Sequence, residues 1–145
     1  MEGDRPPGPL VAYTGFLLNW VAERSRKRFF EALAREELHP REFAALTIVA
    51  TRPGLTQHEL AAAAEIDAST LVATLDALER RGLAERRVHP GDRRKRAIHL
   101  TADGEAALRR GRALAERLGD ELFGTLTAAE RRQFELLLRK LAGVG

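Results

Sequence analysis

The segment DASTLVATLDALERRGL, residues 67–83, decides the fold because it encodes an amphipathic helix with both ends marked. The residues that recur at the spacing of one helix face are Leu71, Leu75 and Leu78. Asp67 can accept hydrogen bonds from the first turn, and Gly82 is the residue type that adopts the left-handed conformation after a helix. The segment therefore predicts a helix from Asp67 to Arg81 with its leucines in the core.

A shorter helix precedes this one, and a hairpin follows it. Thr56-Gln57-His58-Glu59 is a capping-box pattern that opens an Ala-rich helix through Ala64, so two helices are joined by a tight turn. Downstream, residues 83–88 and 97–100 favour strands on either side of the Pro90-Gly91 turn. A helix-turn-helix followed at once by a hairpin is a winged helix, which we expect over about 40–100.

Longer helices are predicted at both ends of the chain. Apolar residues recur at helical spacing from Leu10 to about Ala34, and the segments 102–122 and 128–141 follow capping residues. This apolar surplus indicates a second layer, shared between two chains. The predicted fold is mainly α: a winged helix-turn-helix with a small β-hairpin wing, plus N- and C-terminal dimerisation helices at about 10–36 and 102–142. These form a single domain, 10–145, after a flexible leader, 1–9.

The charge of the chain is concentrated in one segment. The formal net charge of the 145 residues is +3, but eight Arg or Lys side chains lie between Arg80 and Arg96 against only two carboxylates. Such a concentration indicates an anionic partner, most commonly nucleic acid. With no cysteine, thiolate metal sites and thiol redox sensing are excluded. No long apolar run is present, so we expect a cytoplasmic protein with no membrane partner.

The sequence offers no chemistry for an enzyme. His58-Glu59 begins like the zinc motif HExxH, but Ala62 stands where the second histidine would be required. No Gly-rich phosphate loop and no Ser/His/Asp grouping is found. We therefore expect no catalytic residue, no metal and no cofactor.

The outward face of the 67–81 helix carries short side chains instead of the Glu and Lys of a solvated helix. Hydroxyl groups on such a face can meet phosphates or base edges, and methyl groups can meet thymine. The residues predicted to contact DNA from this face are Ser69, Thr70, Ala73 and Thr74. The alternative is a face packed on another subunit.

The hairpin sequence RRVHPGDRRKR, residues 86–96, supplies cations for the same partner. Arginine at a wing tip can enter a narrow minor groove, and we expect Arg94 to do so. Asp92 would hold the Arg94 guanidinium through a bidentate hydrogen bond. The other residues predicted to bind DNA from the hairpin are Arg86, Arg93, Lys95 and Arg96. The alternative is a solvated loop.

The segments DASTLVATLDALERRGL, GDRRKRAIHLT and LTADG, together with the order of the elements, resemble the MarR family of winged-helix transcription regulators. The resemblance implies a homodimer that binds a pseudo-palindromic operator and is released by a small phenolic or anionic inducer. It also implies that Ser69, Thr70 and Thr74 read the groove. The residues it places near a ligand cavity are Tyr13, Trp20, His39 and Phe43.

These features together predict a sequence-specific, DNA-binding transcriptional regulator, working as a homodimeric repressor on double-stranded DNA. Two alternatives stay open at this stage. A winged-helix protein-interaction module would dock its basic wing on an acidic protein, and an architectural protein would bind DNA without sequence preference.

Overall fold

The computed structural model describes residues 5–144, which divide into two compact units. The winged unit comprises residues 27–114, and the terminal unit comprises residues 5–26 together with residues 115–144. In chain order the elements are a 3-10 helix Gly8–Ala12, α1 Thr14–Arg35, α2 Pro40–Thr51, α3 Gln57–Ala64, α4 Ala68–Arg80, β1 Ala84–His89, β2 Asp92–Leu100, α5 Ala102–Leu122 and α6 Ala128–Leu141. The prediction of a mainly helical winged fold is confirmed. Residues 1–4 of the predicted leader lie outside the described residues.

Helices α3 and α4 begin at the caps that the sequence predicts. The Thr56 hydroxyl accepts from the Glu59 amide at 3.3 Å, and the Glu59 carboxylate accepts from the Thr56 amide at 2.8 Å. Asp67 caps α4, and Gly82 follows that helix with φ +67°. Helix α2 has a box of the same kind, in which His39 accepts from Arg41 and the Glu42 carboxylate accepts from the His39 amide at 2.9 Å. Each helix start is therefore fixed by its own sequence.

The core of the winged unit is built from leucines. The predicted inward face of α4 is confirmed, since Leu71, Leu75 and Leu78 are each 1% exposed or less. The other fully buried large side chains are Leu33, Leu46, Leu60 and Ile98. Burying a leucine contributes about 1.5–3 kcal/mol, so this cluster fixes α4 with its opposite face outward.

The wing hairpin is longer than the sequence predicts and contains a bulge. Strand β2 begins at Asp92, whereas the prediction began it at Ala97. The register steps from Val88 opposite Arg96 to His89 opposite Asp92, so residues 93–95 of β2 have no residue opposite them on β1. Like charges disfavour a strand locally, but Asp92 and Arg96, on either side of residues 93–95, pair with His89 and Val88 and hold this stretch in the hairpin.

The terminal unit holds the 3-10 helix, the start of α1, the end of α5 and α6. The sequence predicts α1 from Leu10, but α1 begins at Thr14, because Pro7 and Pro9 favour the separate 3-10 helix and Tyr13 is extended. Phe123 packs on Phe134 with ring centroids 5.6 Å apart. None of the described residues of this unit is buried. No helix in residues 5–144 is both long enough and apolar enough to cross a membrane.

Candidate nucleic-acid interface

The outward face of α4 forms one wall of a broad concavity in the winged unit. Its volume is about 500 Å³, and its other wall is the start of α2. The lining residues are His39, Arg41, Glu42, Ser69, Thr70, Ala73, Thr74 and Ala77. The four residues predicted to read DNA from α4 thus lie together. Ser69 and Ala73 are exposed, but Thr74 is only 8% exposed, so it lies at the floor rather than on the outer rim.

The Asp67 carboxylate organises the first turn of α4. One oxygen, Oδ1, accepts from the Thr70 amide at 2.8 Å and from the Ser69 hydroxyl. The other oxygen, Oδ2, accepts from the Thr70 hydroxyl at 2.6 Å. Hydrogen bonds from Ser69 and then from Thr70 hold the pKa of Asp67 well below its usual value, so the group is an anion at neutral pH.

The Thr74 hydroxyl is engaged within the same helix. It donates to the Thr70 carbonyl at 2.9 Å. A hydroxyl in mid-helix often bonds the carbonyl one turn earlier in this way. The hydroxyls of Ser69, Thr70 and Thr74 therefore all donate to acceptors inside the protein.

The wing tip carries its cations on exposed side chains. Arg93, Arg94, Lys95 and Arg96 are exposed, and within residues 5–144 none of them has a carboxylate at ion-pair distance. The first three are the residues of the bulge, and a bulge re-aims the side chains of its strand. The wing tip is thus an open cluster of positive charge.

Asp92 contacts Arg94, but through the backbone. Its Oδ1 atom accepts from the Arg94 amide at 2.9 Å, whereas the sequence predicts a bond to the Arg94 guanidinium. A side chain that bonds the amide two residues on forms an Asx turn. Asp92 therefore fixes the backbone at the start of the bulge and leaves the Arg94 side chain unheld.

Arg86 differs from the other predicted DNA contacts because its side chain is already bound. Its guanidinium donates to Asp76 at 2.8 Å and to Glu79, and its amide donates to Glu79 at 2.9 Å. The side chain is 21% exposed. Arg86 thus ties β1 to α4, and its predicted contact with DNA stays a prediction.

Arg41 is a further candidate DNA contact, which the sequence alone does not predict. It is exposed at the first turn of α2 and lines the concavity beside α4. Nearby, Arg81 at the end of α4 donates to the buried Glu42 carboxylate at 2.9 Å. The sequence predicts a helix start at His39-Pro40, beside Arg41. It does not predict that this helix start lies next to α4, which follows from the tertiary fold.

The four predicted ligand residues have different surroundings. In the terminal unit, Tyr13 is 64% exposed and Trp20 stacks on Phe16 with ring centroids 6.2 Å apart. In the winged unit, His39 caps α2 at the concavity, and Phe43 packs edge-on against a neighbouring phenylalanine. His39 and Phe43 thus serve different parts of that unit, as a cap and in packing.

A second cavity of the winged unit, about 360 Å³, has a polar character. It lies between the end of α2, the end of β2 and the start of α5. Its charged and titratable lining residues are His99, Glu105, Arg109 and Arg112. In residues 5–144, no cluster of three or more His, Cys, Asp or Glu side chains is arranged to hold a metal ion.

The chain is similar to known transcriptional regulators in sequence and in fold. A model of the MarR family matches residues 36–95. The transcriptional regulator HosA of Escherichia coli O111:H- is 33% identical over 130 residues, which cover 86% of this chain and 96% of HosA. The transcriptional repressor CouR, solved bound to a 23-mer DNA duplex, has a TM-score of 0.80 at 34% identity and covers 96% of this chain and 99% of its own.

A further similar structure contains a small aromatic acid. It is a MarR family protein of Mycobacterium tuberculosis in complex with salicylic acid, with a TM-score of 0.71 at 29% identity, covering 96% of this chain and 98% of that one. These relatives are regulators and not enzymes. The chain belongs to the MarR family and is a DNA-binding transcriptional regulator.

Proposed function

We propose that the protein is a homodimeric repressor that binds a pseudo-palindromic operator and leaves it when a small aromatic acid binds. The observation that carries the proposal is the winged unit, which combines the outward face of α4 with the exposed cations of the wing. In the proposed complex, the start of α4 enters the major groove through Ser69, Thr70 and Ala73. Thr74 supports that face from the floor of the concavity.

The wing has a separate role in this proposal. Arg94 reaches an adjacent minor groove, where a narrow groove concentrates negative potential. Arg93, Lys95, Arg96 and Arg41 bind phosphates, which fix position and carry no sequence information. Arg86 holds the wing against α4 through its bonds to Asp76 and Glu79.

A second copy of the chain supplies the dimer. The terminal unit has an apolar groove of about 330 Å³ whose lining is almost free of polar surface. The residues that line it are Thr14, Leu17, Leu18, Val21, Phe134, Leu137, Leu138 and Leu141. Leu141 is 78% exposed and Leu137 is 50% exposed. A contiguous apolar patch of this kind marks an interaction surface, and the pseudo-palindrome of the operator would match a two-fold dimer.

Release by an aromatic acid is supported by the salicylic acid in the mycobacterial relative. The family resemblance implies Tyr13, Trp20, His39 and Phe43 as ligand contacts. The second cavity of the winged unit is a further site to test, since Arg109 and Arg112 are the cations that a carboxylate requires.

The experiment that tests the core of the proposal is fluorescence anisotropy with DNA from upstream of the protein's own gene. The titration is run at several salt concentrations with excess random duplex as competitor. We expect binding that survives the competitor, with one dimer per site. Binding that the competitor abolishes would favour the architectural alternative, and no binding at low salt would favour the protein-docking module.

The ligand is tested on the same complex. Salicylate added to the protein–operator complex should lower the anisotropy as DNA is released. The salicylate concentration required for release should be higher in a variant that has lost a contact with the ligand. Trp20→Ala tests the residues that the resemblance implies, and Arg112→Ala tests the second cavity. Failure of salicylate and related aromatic acids to release DNA would remove the ligand from the proposal and leave DNA binding in place.

A further inference from the structure

The reading face of α4 has an unusual hydrogen-bonding polarity. A Ser or Thr hydroxyl has one proton to donate and two lone pairs that accept, so it normally contacts either kind of base edge. On α4, the hydroxyls of Ser69 and Thr70 lie against the Asp67 carboxylate, and the Thr74 hydroxyl lies against the Thr70 carbonyl.

The direction of these bonds is fixed by their partners. An ionised carboxylate has no proton and can only accept, and the same holds for a backbone carbonyl. The bonds from Ser69 and Thr70 hold the pKa of Asp67 low, so the carboxylate is ionised at neutral pH. Each of the three hydroxyls must therefore donate its proton inside the protein, and toward solvent it has only lone pairs.

We propose that Asp67 determines the base preference of α4 by making the Ser69 and Thr70 hydroxyls acceptors only. This inference rests on the proposed function, in which the start of α4 lies in the major groove. Acceptors require donors on the DNA, and the donors in the major groove are the amino groups of adenine N6 and cytosine N4. Guanine O6, thymine O4 and phosphate oxygens are acceptors and are disfavoured beneath these two hydroxyls.

The rest of the α4 face is consistent with this preference. The exposed Ala73 and the half-buried Ala77 offer methyl groups, which can contact the methyl group of thymine. Guanine is most often read by a bidentate Arg or Lys, and α4 has neither of them at the positions that line the concavity. The cation there, Arg41, belongs to α2 and is assigned to a phosphate.

Asp67→Asn is the decisive variant because it changes one hydrogen bond and keeps the helix cap. Asparagine caps helices as well as aspartate does, and its Oδ1 atom can still accept from the Thr70 amide and the Ser69 hydroxyl. Its Nδ2 group, however, donates where Oδ2 of Asp67 accepts from Thr70 at 2.6 Å. The Thr70 hydroxyl then accepts inside the protein and donates its proton to the DNA.

The experiment is selection from a random duplex library, followed by anisotropy on single-base variants of the selected site. The wild-type protein should select an amino base, adenine or cytosine, at the position beneath Thr70. Asp67→Asn should shift that position toward the keto bases guanine and thymine, by about 3- to 10-fold in relative affinity, as expected for one hydrogen bond. The matched control is Thr70→Val, in which Asp67→Asn should leave the preference at that position unchanged.

The outcomes separate the two proposals. If the wild type selects a defined site with keto bases beneath Ser69 and Thr70, the inference is overturned and the proposed function stands. The same holds if Asp67→Asn is folded by circular dichroism and binds with unchanged preference. If the wild type selects no site from the library, the proposed function fails and the inference fails with it.

Discussion

At the scale of single residues, Asp92 acts on the shape of the wing and not on its charge. Its carboxylate accepts from the Arg94 amide, at the start of the bulge that carries Arg93, Arg94 and Lys95. An acid beside four cations is electrostatically unfavourable for binding DNA. Its value lies in the backbone conformation that it holds before the DNA arrives.

Two substitutions of Asp92 separate shape from charge. Asp92→Ala should weaken specific DNA binding by about 0.5–1.5 kcal/mol, although it removes a negative charge, because the Arg94 amide loses its acceptor. Asp92→Asn keeps an acceptor and should bind at least as tightly as the wild type. Anisotropy at fixed salt measures both, and tighter binding by Asp92→Ala would show that the carboxylate acts only as an unfavourable charge.

Arg94→Ala should lower the affinity for the specific site by about 1–3 kcal/mol and leave thermal unfolding unchanged, because the side chain is exposed. Arg93→Ala is the matched control on the same bulge. Because Arg93 is assigned to a phosphate, Arg93→Ala should weaken binding to all sequences alike. It should also reduce the slope of log affinity against log salt concentration by about 1. Equal loss of specificity in the two variants would contradict the assignment of Arg94 to the minor groove.

The sequence predicted which residues interact better than it predicted which of their atoms form the hydrogen bond. The sequence places Asp92 beside Arg94, but an amide and a guanidinium are both donors, and only the backbone conformation decides between them. Ser69 and Thr70 were predicted as hydroxyls able to meet phosphates or bases. Their bonds to Asp67 follow from the geometry of the cap, which a list of residue types does not contain.

At the scale of elements, the starts of the helices with a capping side chain were predictable because capping is local, whereas α1 has no such cap in its sequence and begins at Thr14 instead of Leu10. Thr56, Asp67 and Thr127 each cap the helix that the sequence assigns to them. The start of β2 was predicted too late, because pairing of β1 with β2 depends on residues on both sides of the turn. Signals confined to one turn of helix are read more reliably than pairings across a hairpin.

Gly104 marks the closest approach between elements in the winged unit. A Cβ atom on this residue of α5 would lie 1.8 Å from the Leu83 carbonyl oxygen. Gly104→Ala should therefore destabilise the protein by about 1–3 kcal/mol or more, since a backbone carbonyl cannot move aside. Gly15→Ala is the control, because it is helical with open space around it and should be neutral or stabilising by up to about 1 kcal/mol. Chemical denaturation measures both, and equal stability of the two variants would contradict the close contact.

Arg86 joins the wing to the reading helix through Glu79. A double-mutant cycle with Arg86→Ala and Glu79→Ala should give a coupling of about 1 kcal/mol in unfolding free energy, modest because both side chains are partly exposed. Arg87→Ala with Glu85→Ala, an exposed pair within β1, should give a smaller coupling. A coupling near zero for Arg86 with Glu79 would contradict this structural role and favour the predicted contact of Arg86 with DNA.

At the scale of the whole molecule, charge and apolar surface are assigned to different units. The net charge is only +3, yet the wing of the winged unit concentrates cations, and the terminal unit exposes an apolar groove. Charge segregation and end helices were predictable from composition along the chain. The division within α1 and α5 was not, because a continuous helix gives no sequence signal where its packing partners change.

Leu141→Glu should convert the proposed dimer into monomers, because it places a charge in the apolar groove of the terminal unit. The variant should also lose specific operator binding, since two half-sites then no longer bind as one. Ala129→Glu is the control, being an exposed position on the same helix that does not line the groove. Light scattering after size exclusion gives the mass, and a Leu141→Glu protein that stays dimeric would exclude this groove as the contact.

The open edge of β2 has a consequence for solubility. From Ala97 onward the edge is covered, by the bridge to Thr56 and by the bond from the Ile98 amide to the Leu55 carbonyl at 2.8 Å. Within residues 5–144, no comparable bridge or backbone bond covers residues 93–96, and an uncovered strand edge is a template on which other chains can pair and aggregate. Cations along an edge prevent that association by mutual repulsion. The residues proposed to attract DNA would thus also keep this protein from polymerising when no DNA is bound. Variants that neutralise the wing should therefore both lose DNA binding and precipitate more readily.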